Sequence, residues 1–77
     1  MKEPQGFNIT GTLQEWYLQT IGNAIIVWGF IYGDVKQRWC DGTYIHTSAV
    51  INTEDIKEGG IIRTLNSVYK LGEPRVK

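Results

Sequence analysis

Short apolar runs rich in β-branched and aromatic residues, one of them loosely alternating, are separated by turn signals along this chain, the pattern of strands rather than helices. Gln14 to Thr20 (QEWYLQT) puts Trp16 and Leu18 on one face and Tyr17 on the other, and Ile21-Gly22-Asn23 supplies a turn. Ala24 to Tyr32 (AIIVWGFIY) is apolar on both faces and rich in β-branched and aromatic residues. That predicts a central strand covered on both sides, or one that bends between two sheets. Gly29 stands where such a bend is useful, because interior glycines mark bulges and corners. A helix over this run is disfavoured by its short length, its glycine, its β-branched side chains and the lack of a cap.

Further along, Asp41-Gly42 is a hairpin signal, because a type I′ turn needs positive φ at both central residues. Arg38-Trp39-Cys40 and Thr43 to His46 are then the two arms. Ala49 to Thr53 reads as a further short strand. Glu54 to Gly60 reads as a polar loop, with a single helical turn over 53–57 capped by Thr53. Ile61 to Leu65 and Val68 to Leu71 read as a last hairpin around Asn66-Ser67. In that hairpin Thr64 faces Tyr69, Ile62 faces Leu71, and Arg63 and Lys70 point outward as adjacent cations. The prediction is all-β: an antiparallel barrel or sandwich of five or six strands, SH3-like, with at most one helical turn. It occupies residues 9–72, after a loose lead-in over 1–8 and before a fraying tail over 73–77.

Composition narrows the picture. A chain of 77 residues buries only roughly 60% of its unfolded surface, so its core is thin. Its single Cys cannot form an internal disulfide, and with a single His it cannot supply the roughly four ligands of a structural zinc. Stability must come from packing its three Trp and four Tyr or from self-association. Gln14 to Thr20, read as an edge strand, is where a homodimer would pair. Eight basic residues balance eight acidic ones, which argues against a general electrostatic nucleic-acid binder but leaves room for a local basic patch. The lone cysteine and the polar opening MKEPQGFNITGT lead us to expect a cytoplasmic protein. The longest apolar run falls far short of the ~20 residues of a spanning helix, so no membrane contact is expected.

Candidate chemistry gathers in KQRWCDGTYIHTS, residues 36–48. A Cys40–His46 dyad needs both side chains within hydrogen-bond reach. A two-residue turn at Asp41-Gly42 would instead leave them roughly 10 Å apart, on opposite faces of the hairpin. Asp34 is expected to cap its own loop, and Asp41 to serve its turn. Thr47-Ser48 is expected to bond back to the main chain and reverse it. No catalytic residue, metal or cofactor is expected. What remains is a binding constellation of Lys36, Arg38, Trp39 and Tyr44, joined by His46, Arg63 and Lys70. Trp, Tyr and Arg dominate protein interfaces, and the same combination can stack single-stranded bases. Trp39 and Tyr44 would face one side as cross-strand neighbours. Whether Trp39 completes the core stays open, while Trp16 and Trp28 are expected inside it.

Several short motifs add a context. Tyr32-Gly33-Asp34, Arg38-Trp39, Asp41-Gly42-Thr43, Ile45, Thr47-Ser48 and Val50, then Thr64, Asn66-Ser67, Tyr69, Leu71 and Gly72, resemble a family of very small bacteriophage and prophage proteins. That family shares the gapped pattern D-G-T-x-I-x-T-S-x-V, then T-x-N-S-x-Y-x-L-G. The resemblance covers roughly residues 29–72. Many of its members show His-Pro where this chain has Asp34-Val35. The family has no assigned activity and lends no functional residue. The resemblance implies an accessory protein of a mobile element that binds and inhibits or modulates a host protein, of the anti-defence kind such as an anti-CRISPR. A small nucleic-acid-binding β-barrel is the alternative.

Overall fold

The computed structural model describes residues 9–76. Its strands are β1 (Gly11–Ile21), β2 (Ala24–Tyr32), β3 (Thr43–His46), β4 (Ile61–Arg63) and β5 (Val68–Leu71), with one 3₁₀ turn at Thr53–Asp55. They form one sheet in the order β3-β2-β1-β5-β4. The long β1–β2 hairpin turns at Gly22-Asn23, where Gly22 takes a φ of 59°. The mostly β expectation holds, but the sheet is mixed and open rather than wholly antiparallel. β5 lies parallel to β1, with Leu13 beside Leu71, while β3 and β4 end the sheet.

One irregularity shapes the rest. The β1–β2 register pairs Gln14 with Phe30 and Tyr17 with Trp28, so Glu15 and Trp16 together oppose Gly29. This is a β-bulge, in which one extra residue re-aims the strand beyond it. Glu15 accommodates it with a φ of 53°. Leu13 and Trp16 both turn into the core, and Tyr17 turns out. Gly29 had been expected to bend its own strand; it instead makes room for its neighbour. A Cβ there would lie 3.1 Å from the Gln14 carbonyl oxygen and 3.2 Å from the Trp16 Cβ.

The core lies on one face of the sheet. Leu13, Val27, Ile31, Ile62 and Leu71 are completely buried, joined by Trp16, Ile45, Val50 and Tyr69. Full burial of each aliphatic side chain contributes about 1.5–3 kcal/mol. Among the described residues no second sheet covers this face. Trp39 from the loop before β3 and Ile56 from the loop before β4 pack onto it instead. Thr47 reverses the chain as expected: its hydroxyl accepts from the Val27 amide and donates to the Ser48 carbonyl.

Other expectations are corrected. Arg38-Trp39-Cys40 is not a strand, and β3 pairs with β2, His46 opposite Trp28 and Thr43 opposite Ile31. Asp41-Gly42 does turn the chain, but only Gly42 takes positive φ, 87°, as in a type II turn. Ala49 to Thr53 forms one bridge, Val50 with Thr64, rather than a strand. The 3₁₀ turn is preceded by Asn52, so Thr53 is inside it and not its cap. Asn52 is used elsewhere: its amide bonds Asp55, the Ile61 carbonyl and the Arg63 amide, sealing the edge of β4. The last hairpin is shifted by two residues, Arg63 opposite Val68 and Ile62 opposite Tyr69. The turn accordingly moves back one residue to Leu65-Asn66: the Thr64 amide donates to the Ser67 carbonyl, and the Thr64 hydroxyl accepts from the amides of Asn66 and Ser67. A shift of two preserves parity, so Ile62, Thr64, Tyr69 and Leu71 still point in.

Gln14 to Thr20 is an edge only beyond Trp16, where Tyr17 to Thr20 pair with β2 alone among the described residues; up to that point the edge is covered. β5 and the tail cover it: the Glu15 amide bonds the Glu73 carbonyl, and the Arg75 amide bonds the Trp16 carbonyl. The tail therefore continues the sheet to Arg75 where fraying was expected. The lead-in over 1–8 lies outside the described residues.

Gly29→Ala tests the bulge. The methyl group meets backbone and a tryptophan Cβ, neither of which can swing away, so we expect a loss of about 1–3 kcal/mol. Urea unfolding should show a lower midpoint with an unchanged slope.

Candidate functional site: an uncovered aromatic face

The register places side chains on the outer face of the sheet by simple parity. Tyr17, Trp28 and His46 form one row across β1, β2 and β3, and Gln14, Phe30 and Tyr44 form the next. Thr12 lies between Tyr32 and Lys70 in a third. No other element packs over these rows among the described residues. Tyr44 and Tyr32 are 46% and 43% exposed, and Tyr17, Trp28 and Phe30 are half-buried against one another.

The rings hold each other. Trp28 lies 4.7 Å from His46, 5.4 Å from Tyr44 and 6.5 Å from Tyr17, centroid to centroid, and Phe30 lies 5.1 Å from Tyr44. The Trp28 indole N–H donates to the Gln19 side chain at 2.7 Å. The Tyr17 and Tyr44 hydroxyls bond each other across β2. That hydrogen bond, with a smaller push from burial, raises the Tyr44 phenol above its ordinary pKa, against the lowering field of Arg75. The Arg75 guanidinium sits 4.6 Å over the Tyr17 ring, a cation–π geometry. Glu15, Tyr17, Phe30, Tyr44 and Arg75 line a cleft of about 270 Å³. Gln14 folds over Gly72, where a Cβ would clash with its amide, and its Oε1 accepts the Glu73 N–H at 2.8 Å.

The expected binding constellation is divided. Tyr44 and His46 lie on this face; His46 Nδ1 sits 3.1 Å from the Thr47 carbonyl. Arg63 and Lys70 are exposed on the same face, diagonal rather than opposite, because Arg63 faces Val68 and Lys70 faces Ile61. Lys36, Arg38 and Trp39 belong to the loop over the core. Trp39 packs inward, so it and Tyr44 do not share a side. Arg38 lies 4.2 Å over the Trp39 ring and reaches the Tyr69 hydroxyl at 3.3 Å. The Lys36 ammonium bonds the Asn66 carbonyl at 2.6 Å. Cys40 and His46 stay apart for a new reason. Cys40 lies in the turn before Thr43, and β3 then carries His46 three residues further, roughly 10 Å away.

Asp34 organises that loop. Its carboxylate accepts the amides of Lys36, Arg38 and Trp39 at 3.2, 2.7 and 3.2 Å, and Arg38 Nε stands at 3.6 Å. Burial pushes its pKa up, but the three amides and the guanidinium outweigh this and hold it below 3.8. The loop cap expected of Asp34 is therefore present.

Pattern reading overlooked Tyr17, Trp28, Phe30 and Arg75. A signal existed for two of them: the aromatics of β2 fall on even positions, Trp28, Phe30 and Tyr32, while Val27 and Ile31 fall on odd ones. Trp28, expected in the core, is correspondingly on the outer face. Tyr17 was placed opposite Trp16 but had no visible partner. Among the described residues no group of three or more His, Cys, Asp or Glu is placed to hold a metal ion. No helix there is long and apolar enough to cross a membrane. Compared with known proteins, the chain matches no family model, no curated protein and no solved structure.

Removing Asp34 should unhook the loop. Asp34→Ala is expected to cost about 2–3 kcal/mol in chemical denaturation, because buried amides lose a charged acceptor. The folded pKa lies below 3.8, so this carboxylate's stabilisation is full above that value and is lost as pH falls through the folded pKa. The difference between wild type and Asp34→Asn should accordingly shrink in acid below about pH 4.

Proposed function

We propose that this chain is a non-enzymatic binding module that grips a partner protein with the outer face of its sheet. The observation that carries the reading is the pair of adjoining rows holding Tyr17, Trp28, Phe30, Tyr44 and His46, uncovered among the described residues, with Arg75 laid on Tyr17. Interface hot spots are enriched in these residue types, set in well-packed clusters. Rings already held by their neighbours lose little entropy on docking, which favours affinity. The reading needs an open face and not the closed SH3-like barrel expected from strand spacing.

The resemblance to small phage and prophage proteins supplies the partner's setting. In this proposal the partner is a host protein or complex in the bacterial cytoplasm, and the module inhibits or modulates it by occupying a site. An anti-defence role of the anti-CRISPR type is the form the proposal takes. Single-stranded nucleic acid is the second reading, favoured by the exposed Arg63, Lys70 and Arg75. The arrangement of the rings weighs against it: Tyr17, Trp28, Tyr44 and Phe30 turn their faces to one another or to Arg75. Base stacking needs such faces free.

Affinity capture from bacterial host lysate, read by mass spectrometry, tests the proposal. Wild type should retain a stoichiometric protein partner, and Tyr44→Ala/Arg75→Ala should retain at least about tenfold less with an unchanged circular-dichroism spectrum. A partner held equally by both would place the contact elsewhere. A salt-sensitive oligonucleotide shift with no protein partner would favour the second reading.

A further inference from the structure

The outer face carries cations beside its rings. Arg63, Lys70 and Arg75 flank the aromatic rows on the side of β5, β4 and the tail. Among the described residues none of the three lies within ion-pair distance of a carboxylate; the ion pair found there is Arg38–Asp34 at 3.6 Å. Nor does any of their side chains make a hydrogen bond there. By contrast Lys36 and Arg38, whose side chains do have polar partners, serve the loop over the core. Glu15, at the bulge, is the carboxylate that lines the cleft with Arg75. Of the acidic run Glu54, Asp55 and Glu58, Asp55 lines a cleft with Arg63 and Ile61 at the edge of β4, without reaching ion-pair distance, while Ile56 of the same loop packs onto the opposite side of the sheet. A chain of zero formal charge thus leaves three cations without a bonded partner, among the described residues, beside its aromatic face.

Arg75 is the most specific of the three. Laid on the Tyr17 ring, a guanidinium keeps its N–H edge available, and that planar fork matches a carboxylate in bidentate geometry. The cleft beneath, walled by Tyr17, Phe30 and Tyr44, suits an apolar side chain next to that carboxylate. Lys70 and Arg63, toward the far side of the sheet, suit further acidic groups, which would mainly speed association and set orientation.

Resting on the reading of this face as the contact surface, we infer that the partner presents an acidic protein surface. Aspartate or glutamate side chains there engage Arg75, Lys70 and Arg63, around an apolar or aromatic residue that enters the cleft.

The test uses the full 77-residue chain, immobilised and panned against displayed random peptides. Wild type should enrich sequences that combine Asp or Glu with an aromatic or aliphatic residue. Arg75→Glu/Lys70→Glu should lower their retention about tenfold or more, with added salt weakening wild-type binding in the same direction. Lys57→Glu, off the face, controls for charge change alone and should leave retention unaltered. Enriched peptides that are basic or uncharged would overturn the inference while leaving a protein-binding face intact. Enrichment insensitive to the double reversal but lost in Tyr44→Ala would do the same. No enrichment at all would overturn both. Retention of a single-stranded oligonucleotide in place of peptides would assign the cations to phosphate and overturn the acidic-protein reading.

Discussion

The structure depends on the packing of Gly29 against the bulge at Glu15 and Trp16. One extra residue in β1 changes which side chains face the core. Without it, regular alternation from Leu13 would send Trp16 outward and Tyr17 inward. With it, Trp16 joins Leu13 in the core, donating its indole N–H to the Gly72 carbonyl at 2.9 Å. Tyr17 joins Trp28 on the outside. The same bulge receives the C-terminal segment, since the Glu15 amide and the Trp16 carbonyl are the groups that Glu73 and Arg75 bond. Arg75 reaches Tyr17 because of that pairing. Core, sheet continuation and aromatic face therefore share one local cause, and glycine at position 29 is its steric condition.

The second constraint is size. A domain this small has a thin core; among the described residues no second sheet covers it, so loops close it and are held by polar anchors. Asp34 holds the loop that seats Trp39, Asn52 holds the segment beside β4, and Thr47 and Thr64 fix the two reversals. Each anchor satisfies backbone groups that a strand partner would otherwise bond. With the loops committed to one face, the other is left bare among the described residues and its large side chains support one another. A single-layer sheet with one finished face and one aromatic face is the architecture from which the binding proposal starts.

Much of the fold was legible. A continuous apolar run rich in β-branched and aromatic residues marked β2, hairpin parity marked β5, the Gly29 position marked an irregularity, and Asp34 and Thr47 were assigned their backbone roles from residue type alone. Three features were hidden for physical reasons. A bulge shifts parity without a signature in its own strand, so Tyr17 could not be matched to Trp28. Asp-Gly specifies a turn but not what flanks it, and the Asp34 carboxylate drew Arg38 and Trp39 into a loop instead of a hairpin arm. Parallel pairing of β1 with β5 joins residues more than fifty positions apart, which local periodicity does not report. The candidate site followed suit. Tyr44, His46, Arg63 and Lys70 were found by composition and register, whereas Arg75 was assigned to a fraying end.

The account turns on the outer face being open in solution while Trp16 and Tyr69 are sealed. Photochemically induced nuclear polarisation with a dissolved flavin dye reports which Tyr, Trp and His rings a solute can touch. The account predicts strong signals from Tyr44, Tyr32 and His46 and none from Trp16 and Tyr69, which are 7% and 3% exposed. Silent Tyr44 and His46, or a polarised Trp16, would contradict it, because the bulge would then not have sorted these rings as described.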